Sequence, residues 1–324
     1  MATITAVRSG TGAGLRPTDL RRDLSGIASL MEACFGANLD AAGRGAIHEM
    51  RVLSRAGPVL WLVGGALQGP LWSLGYVWAD GGRIVGNIST QRSAARAGDW
   101  LIANVAVHPD YRRQGIARAL TEAALDLASK KGGRTTMLQV NHDNAAALAL
   151  YGGLGFARYG ARTEWVRHGG SVPPYESTPN IEIRPRPARH WAEEFALARQ
   201  THPEGLDWTR RMEAGQFRPG FWRTLGRVLA GQGEERWVAL AGGRLVGSLI
   251  IASNPGESDQ FTLVLHPEWR SSVARPLLVR GLRRLGARPW PLRIDHPPHA
   301  ETDTLRGLGF SAGRTLIWMR QDLR

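Results

Sequence analysis

The stretch Val77-Trp-Ala-Asp-Gly-Gly-Arg-Ile-Val-Gly86 returns 161 residues later as Val238-Ala-Leu-Ala-Gly-Gly-Arg-Leu-Val-Gly247. Further pairs keep the same order. Val107-His-Pro-Asp-Tyr-Arg112 matches Leu265-His-Pro-Glu-Trp-Arg270 at an offset of 158, Leu154-Gly-Phe156 matches Leu308-Gly-Phe310 at 154, and Trp165-Val-Arg167 matches Trp318-Met-Arg320 at 153. Ile181 to Pro185 likewise echoes Leu15-Arg16-Pro17. Offsets that shrink steadily along ordered matches mean two copies of one fold, the second with small deletions. Whatever residues 15–167 form, residues 181–324 must form again. Between them, 168–180 (HGGSVPPYESTPN) is Gly-, Pro- and Ser-rich without periodicity and reads as a linker. Residues 1–14, small and glycine-rich, read as a flexible arm.

Within the first copy, Asp19 can cap a helix with Leu20, Leu24, Ile27, Leu30 and Met31 on one face. A second helical segment runs between Ala41 and Ser54. Leu71 to Trp78 and Arg83 to Thr90 are strand-like and joined by Asp80-Gly81-Gly82, a tight-turn signal. Leu101 to Val107 is a short apolar run rich in Val, ending at His108-Pro109, and predicts a buried strand. A helix from Ile116, a strand Thr135 to Val140, a helix Asn144 to Gly152 and a strand near Phe156 to Arg167 give the order βααβββαβαβ.

The loop before the helix at Ile116 carries the chemistry. Backbone N–H groups of Arg113, Gln114, Gly115, Ile116 and Ala117 have no intrahelical partner there, and the helix dipole adds partial positive charge. Gly115 removes the Cβ where a phosphate would approach, and Arg112, Arg113 and Arg118 supply counter-charge. Neither G-x-G-x-x-G nor G-x-x-x-x-G-K-[ST] occurs, so dinucleotide and Walker-type phosphate loops are excluded.

The order R-x-x-G-x-A (Arg112, Gly115, Ala117) after V-A-V-H-P is followed by N-x-x-A-x-x-L-Y-x-x-L-G-F (Asn144, Ala147, Leu150, Tyr151, Leu154, Gly155, Phe156). Together these resemble the GCN5-related N-acetyltransferase (GNAT) superfamily over roughly residues 95–167. The resemblance implies an α/β (α+β) fold in which each copy is a mixed, twisted sheet with helices on both faces. It implies that acetyl-coenzyme A is the co-substrate, its pyrophosphate on Arg112, Arg113, Gln114, Gly115, Ile116, Ala117 and Arg118. Its pantetheine arm would lie along Val105, Ala106 and Val107, where a bulge splays the fourth strand from the fifth and one N–H faces the thioester oxygen. Asn144 would meet the arm while also serving as a helix N-cap, and Tyr151 would protonate the leaving thiolate as general acid. The acceptor would be a primary amine of an unidentified small molecule or protein, acetylated directly in a ternary complex.

No base stands out. Related ribosomal-protein alanine acetyltransferases carry a Glu on the fifth strand, where this chain has Gln139, and other members carry one early in the fourth strand, where it has Leu101. Asp99, His108, His142 and Glu164 are nearby candidates, and a water relay or a neutral amine needs none of them. A non-catalytic acyl-coenzyme A binding or sensing protein is therefore the alternative. In the second copy, Ser271-Ser272-Val273-Ala274-Arg275 aligns with residues 113–117, so Val273 falls on Gly115, and Leu305 falls on Tyr151. The C-terminal copy is expected to have lost the cofactor. Mycothiol synthase resembles this tandem arrangement with one degenerate half, but there the competent half is the C-terminal one.

A net charge of +13 suits nucleic acid, but it is spread evenly, with 19 of 41 basic residues before position 171 and no long basic block. Nucleic-acid binding, including an RNA- or ribosome-associated modifier, is a minority reading. No apolar run reaches about 18 residues and the N-terminus lacks a signal-peptide pattern, so no membrane partner is expected. The single Cys34 fits a reducing, cytoplasmic setting and sits among Met31, Ala33 and Phe35 on an apolar face, a poor nucleophile. His296-Pro297-Pro298-His299 reads as a turn, with no third metal ligand nearby. Trp72, Trp78 and Trp222 are core candidates, with the lining of an acceptor pocket as the alternative, and segments 30–55 and 200–235 would shape that pocket.

Overall fold

The structure is a computed structural model that describes residues 13–36, 41–55, 74–93, 97–175, 177–201, 213–220, 226, 229, 231–286 and 288–323. Trp72 and Trp222 lie outside these residues. The first sequence copy forms β1 (Gly14–Pro17), α1 (Leu20–Phe35), α2 (Ala41–Arg55), β2 (Leu74–Asp80), β3 (Arg83–Arg92), β4 (Asp99–Val107), α3 (Ile116–Lys130), β5 (Thr135–Asn141), α4 (Ala145–Gly153) and β6 (Ala157–Arg167). The second repeats that order as β7 (Ile181–Pro185), α5 (Trp191–Thr201), α6 (Ala214–Phe217), β8 (Gly233–Ala241), β9 (Arg244–Asn254), β10 (Ser258–Leu265), α7 (Arg270–Leu285), β11 (Leu292–His296), α8 (Thr302–Gly307) and β12 (Ser311–Asp322).

Contacts gather into two units that interleave along the chain. The first holds Met1–Gln139, Ala145–Arg158 and Met319–Arg324; the second holds Val140–Asn144 and Tyr159–Trp318. In the first, the strand order is β1-β2-β3-β4-β5 followed by the end of β12. There the Thr135 hydroxyl meets Asp322 at 3.3 Å and Leu323 N–H donates to Arg134 O at 2.8 Å. In the second, the order is β7-β8-β9-β10-β11-β6. Only β4–β5 and β10–β11 are parallel among the registered pairs, and a parallel neighbour requires a crossover, supplied by α3 and α7.

Alternation along the strands puts helices on both faces. Val77 of β2 packs with Ile27 and Leu30 of α1, whereas the next residue, Trp78, faces Ile116 and Leu120 of α3 across Gly86. In the second unit, Val238 and Leu240 pack with Leu197 of α5, and Trp237 and Ala239 join the α7 cluster. Gly86 and Gly247 do the same work in both: a Cβ at Gly86 would lie 2.9 Å from Ile116, and one at Gly247 would lie 2.6 Å from Val273. The β2–β3 turn has Gly81 and Gly82 at φ 54° and 82°, the left-handed pair a two-residue hairpin loop needs. Asp19 caps α1, accepting from Arg21 N–H at 3.0 Å.

Residues 168–175 carry no helix or strand, yet they are anchored. Val172 and Tyr175 pack on the second unit's core, the Tyr175 ring lies under Arg280, and Arg167 donates to Ser171 O at 2.9 Å. Among the described residues no helix is long and apolar enough to cross a membrane.

Candidate functional site

The fourth strand ends in an irregularity that the apolar pattern does not announce. Its parallel register with β5 runs from Asp99↔Thr135 to Ile102↔Leu138. Against β3 it shifts, since Asn87 opposes Ala106 but Ser89 opposes Ala103. Asn104 and Val105 thus face one residue, Ile88, which is a β-bulge. Asn104 takes φ 54°, a left-handed conformation that Asn tolerates better than most residues. The side chain of Asn87, 1% exposed, donates from Nδ2 to Asn104 O at 2.9 Å, and the Asn104 amide reaches Ser89 Oγ at 3.4 Å. Val105 and Val107 are half-buried and Ala106 is buried.

Beyond Val107, a 3₁₀ turn over Pro109–Tyr111 leads into the loop 112–115, where Arg113 and Gly115 take φ 63° and 79°. Gly115 occupies the N-cap position of α3, which no side chain caps. An ideal Cβ built at Gly115 has nothing within 4 Å, so open space lies where a side chain would stand. Among the described residues, the N–H groups of Arg113 to Arg118 have no acceptor; the first intrahelical bond is Ala119 N–H to Gly115 O at 3.0 Å. Arg112, Arg113, Gln114 and Gly115 are exposed, Ile116 is buried and Ala117 half-buried. Bare amides at a helix N-terminus, beside open space, are an arrangement that suits an anion.

The three arginines are not equivalent. Arg112 Nε approaches Val107 O at 3.4 Å, the same carbonyl that the Cys34 thiol meets at 3.4 Å. Burial raises the Cys34 thiol above its ordinary range, and the Arg112 charge only partly opposes this. Arg118 lies 3.7 Å from Glu122 and 3.4 Å from where a Cβ of Gly153 would be. Its counterpart Arg275 stands 3.8 Å from the same point on Gly307. The Arg118 side chain thus lies beside α4, as Arg275 lies beside α8.

Tyr151 is buried in α4, its ring edge-on to Phe156 at 5.8 Å between centroids. Burial pushes its phenol up to about 12, and among the described residues it has no hydrogen-bond partner. Asn144 is exposed immediately before α4, with its N–H donating to Asn141 O at 2.9 Å. Of the base candidates, Glu164 is paired with Arg293 and with Arg314 at 3.6 Å, His142 with Asp143 at 2.8 Å, and His108 contacts Arg83 at 2.7 Å. Asp99 is buried, Gln139 exposed and Leu101 half-buried.

The second unit differs at each counterpart. Helix α7 begins at Arg270, directly after the 3₁₀ turn Pro267–Trp269, so the four-residue loop is gone. Val273 is fully buried against Gly247 and so replaces Ile116, not Gly115; Ser272 stands opposite the glycine. The expected alignment was one residue out because this connection is shorter. Leu305 does replace Tyr151, since Phe310 N–H donates to Leu305 O as Phe156 N–H does to Tyr151 O, each at 3.0 Å. Glu301, opposite Ala147, is held by Arg270 at 3.0 Å and by His296. Burial pushes the Glu301 carboxyl up, but His296 and Arg270 outweigh it and hold the group below its ordinary range. Strand β10 pairs with β9 from Ser258↔Asn254 to Leu265↔Gly247 with no shift.

Comparison with known proteins follows this geometry. A profile of the Acetyltransferase (GNAT) family matches residues 60–156. The chain is 55% identical over 53 residues to the [ribosomal protein bS18]-alanine N-acetyltransferase of Escherichia coli, covering 16% of this chain and 36% of that protein. The match thus spans about a third of that relative's length. It is 34% identical over 108 residues to N-alpha-acetyltransferase 30 of Schizosaccharomyces pombe, covering 32% of this chain and 71% of that one. A GCN5-related N-acetyltransferase from Sphaerobacter thermophilus has a similar fold, with TM-score 0.61 and 15% identity over 96% of both chains.

Proposed function

This chain belongs to the acetyltransferase (GNAT) family, and from that premise we propose that it is a cytoplasmic N-acetyltransferase moving an acetyl group from acetyl-coenzyme A to a primary amine. The observation that carries the proposal is the open space at Gly115, ringed by N–H groups without acceptors, at the end of a bulged strand. A diphosphate suits that cradle in charge and shape. Residues 15–167 carry the working site and residues 181–324 a degenerate copy. Where the first has a loop with Arg113 and Gly115 left-handed before its helix, the second starts its helix directly at Arg270, with Glu301 against that arginine.

In this proposal the amides of Arg113, Gln114, Gly115, Ile116, Ala117 and Arg118, with the charges of Arg112 and Arg113, hold the pyrophosphate. Bound acetyl-coenzyme A supplies an activated thioester. The backbone of Val105, Ala106 and Val107 holds the arm, and an N–H there stabilises the developing oxyanion. Asn144 orients the arm from the start of α4. Tyr151, protonated at every physiological pH because burial raises it to about 12, donates its proton to the departing sulfur. Glu164 is held by Arg293 and Arg314, and an amine that arrives neutral or through water needs no such base.

That same lack of a base supports the second reading, an acyl-coenzyme A sensor without turnover. An amine panel with free-thiol detection separates the two. Steady release that falls about 100-fold in Tyr151→Phe supports transfer; binding without release supports the sensor and contradicts transfer.

A further inference from the structure

We infer that Asn87 is a positioning residue for the oxyanion-stabilising amide of Val105, an inference that rests on the acetyltransfer site proposed above. A bulge leaves its extra residue outside the ladder, so that residue's carbonyl needs a donor from elsewhere. Asn87 answers that need for Asn104, donating at 2.9 Å from a side chain that is 1% exposed. Peptide 104–105 is trans, as no cis peptide occurs among the described residues. In a planar trans peptide the C=O and N–H vectors oppose one another. Fixing Asn104 O toward Asn87 therefore turns the Val105 N–H away from Asn87.

The second unit shows what happens without this arrangement. At the position matching Asn87 it has Ser248, whose hydroxyl donates instead to the buried Glu194, and the β9–β10 register runs without a bulge. A polar amide in the middle of Ile84-Val-Gly-Asn-Ile88, flanked by buried residues, is otherwise out of place, since Asn is depleted in strands. It acts through Val105 and touches no reacting atom.

The test is calorimetric titration of the full chain with acetyl-coenzyme A and separately with ADP, which carries a diphosphate but no arm. In Asn87→Ala the affinity for acetyl-coenzyme A is expected to fall at least ~10-fold while that for ADP stays within about twofold, the loss of one well-aimed hydrogen bond. Asn87→Leu, which keeps about the same shape but has no donor, should show the same selective loss of acetyl-coenzyme A affinity. A purely structural role moves both ligands together. Equal binding of acetyl-coenzyme A by Asn87→Ala and the wild type overturns the inference and leaves the cradle standing. A joint loss for both ligands, or full acetyl-coenzyme A affinity in a folded Asn87→Leu, also overturns it. Wild-type protein that binds neither ligand overturns the cradle and the inference together.

Discussion

The segments 104–118 and 262–275 descend from one sequence pattern and end in opposite conditions. In the first, a bulge at Asn104, left-handed residues at Arg113 and Gly115, and a late helix start leave six consecutive N–H groups without acceptors among the described residues. In the second, the strand is regular, the helix starts at once at Arg270, and Glu301 brings a carboxylate to Arg270. On the proposed reading, the bulge and the left-handed loop persist where binding can repay their strain, and segment 262–275 has neither.

The contrast is broken most severely at Gly115. Gly115→Val puts a β-branched side chain into the open space and forces it to φ 79°, so affinity for coenzyme A should fall ~100-fold or more by titration. The backbone strain costs about 1–2 kcal/mol, a fall of a few degrees in Tm, with the fold retained.

Next comes the phenol. Tyr151→Phe should lower kcat by about 100-fold while the acetyl-coenzyme A Kd stays within twofold. Because the folded value lies near 12, the acid remains protonated as pH rises, and the rate should show no alkaline decline from this group below pH ~10. Leu305→Tyr in the second copy should add no activity.

The third acts on stability. Glu301→Gln removes the carboxylate between His296 and Arg270 and should cost roughly 1–3 kcal/mol by denaturant unfolding, with coenzyme A affinity unchanged. The carboxyl lies below its ordinary range in the folded chain, so its contribution is present at neutral pH and is lost as pH falls through the folded value. The wild type should therefore lose its advantage over the variant on acidification. The smallest effect is at Arg118, where Arg118→Ala should change coenzyme A affinity less than threefold, because the guanidinium lies beside Glu122 and Gly153 while the substitution keeps the N–H that the cradle uses. A tenfold loss would make the guanidinium a phosphate ligand.

Much of this was legible beforehand, and the exceptions have physical causes. Repeat offsets and period changes place both sets of ten elements, and Gly115 before an apolar helix marks the cradle. The bulge was expected only through the family likeness, because a shift at Asn104 depends on what β3 places opposite it. Asn87 left one trace, a polar residue inside an apolar run. Repeat order alone puts Val273 opposite Gly115, because it does not show that the second connection is one residue shorter; burial against Gly247 fixes the register. The approach of Arg118 to Gly153 and the pairing of Glu164 with Arg293 and Arg314 are not written in residue order.

The most direct test is the stoichiometry of acetyl-coenzyme A binding to the intact chain. One equivalent is expected, lost in Gly115→Val and untouched by Ser272→Val, which alters the position opposite Gly115 in the second copy. Two equivalents, or one that survives Gly115→Val and disappears with Ser272→Val, would contradict a single working cradle at the N-terminus of α3.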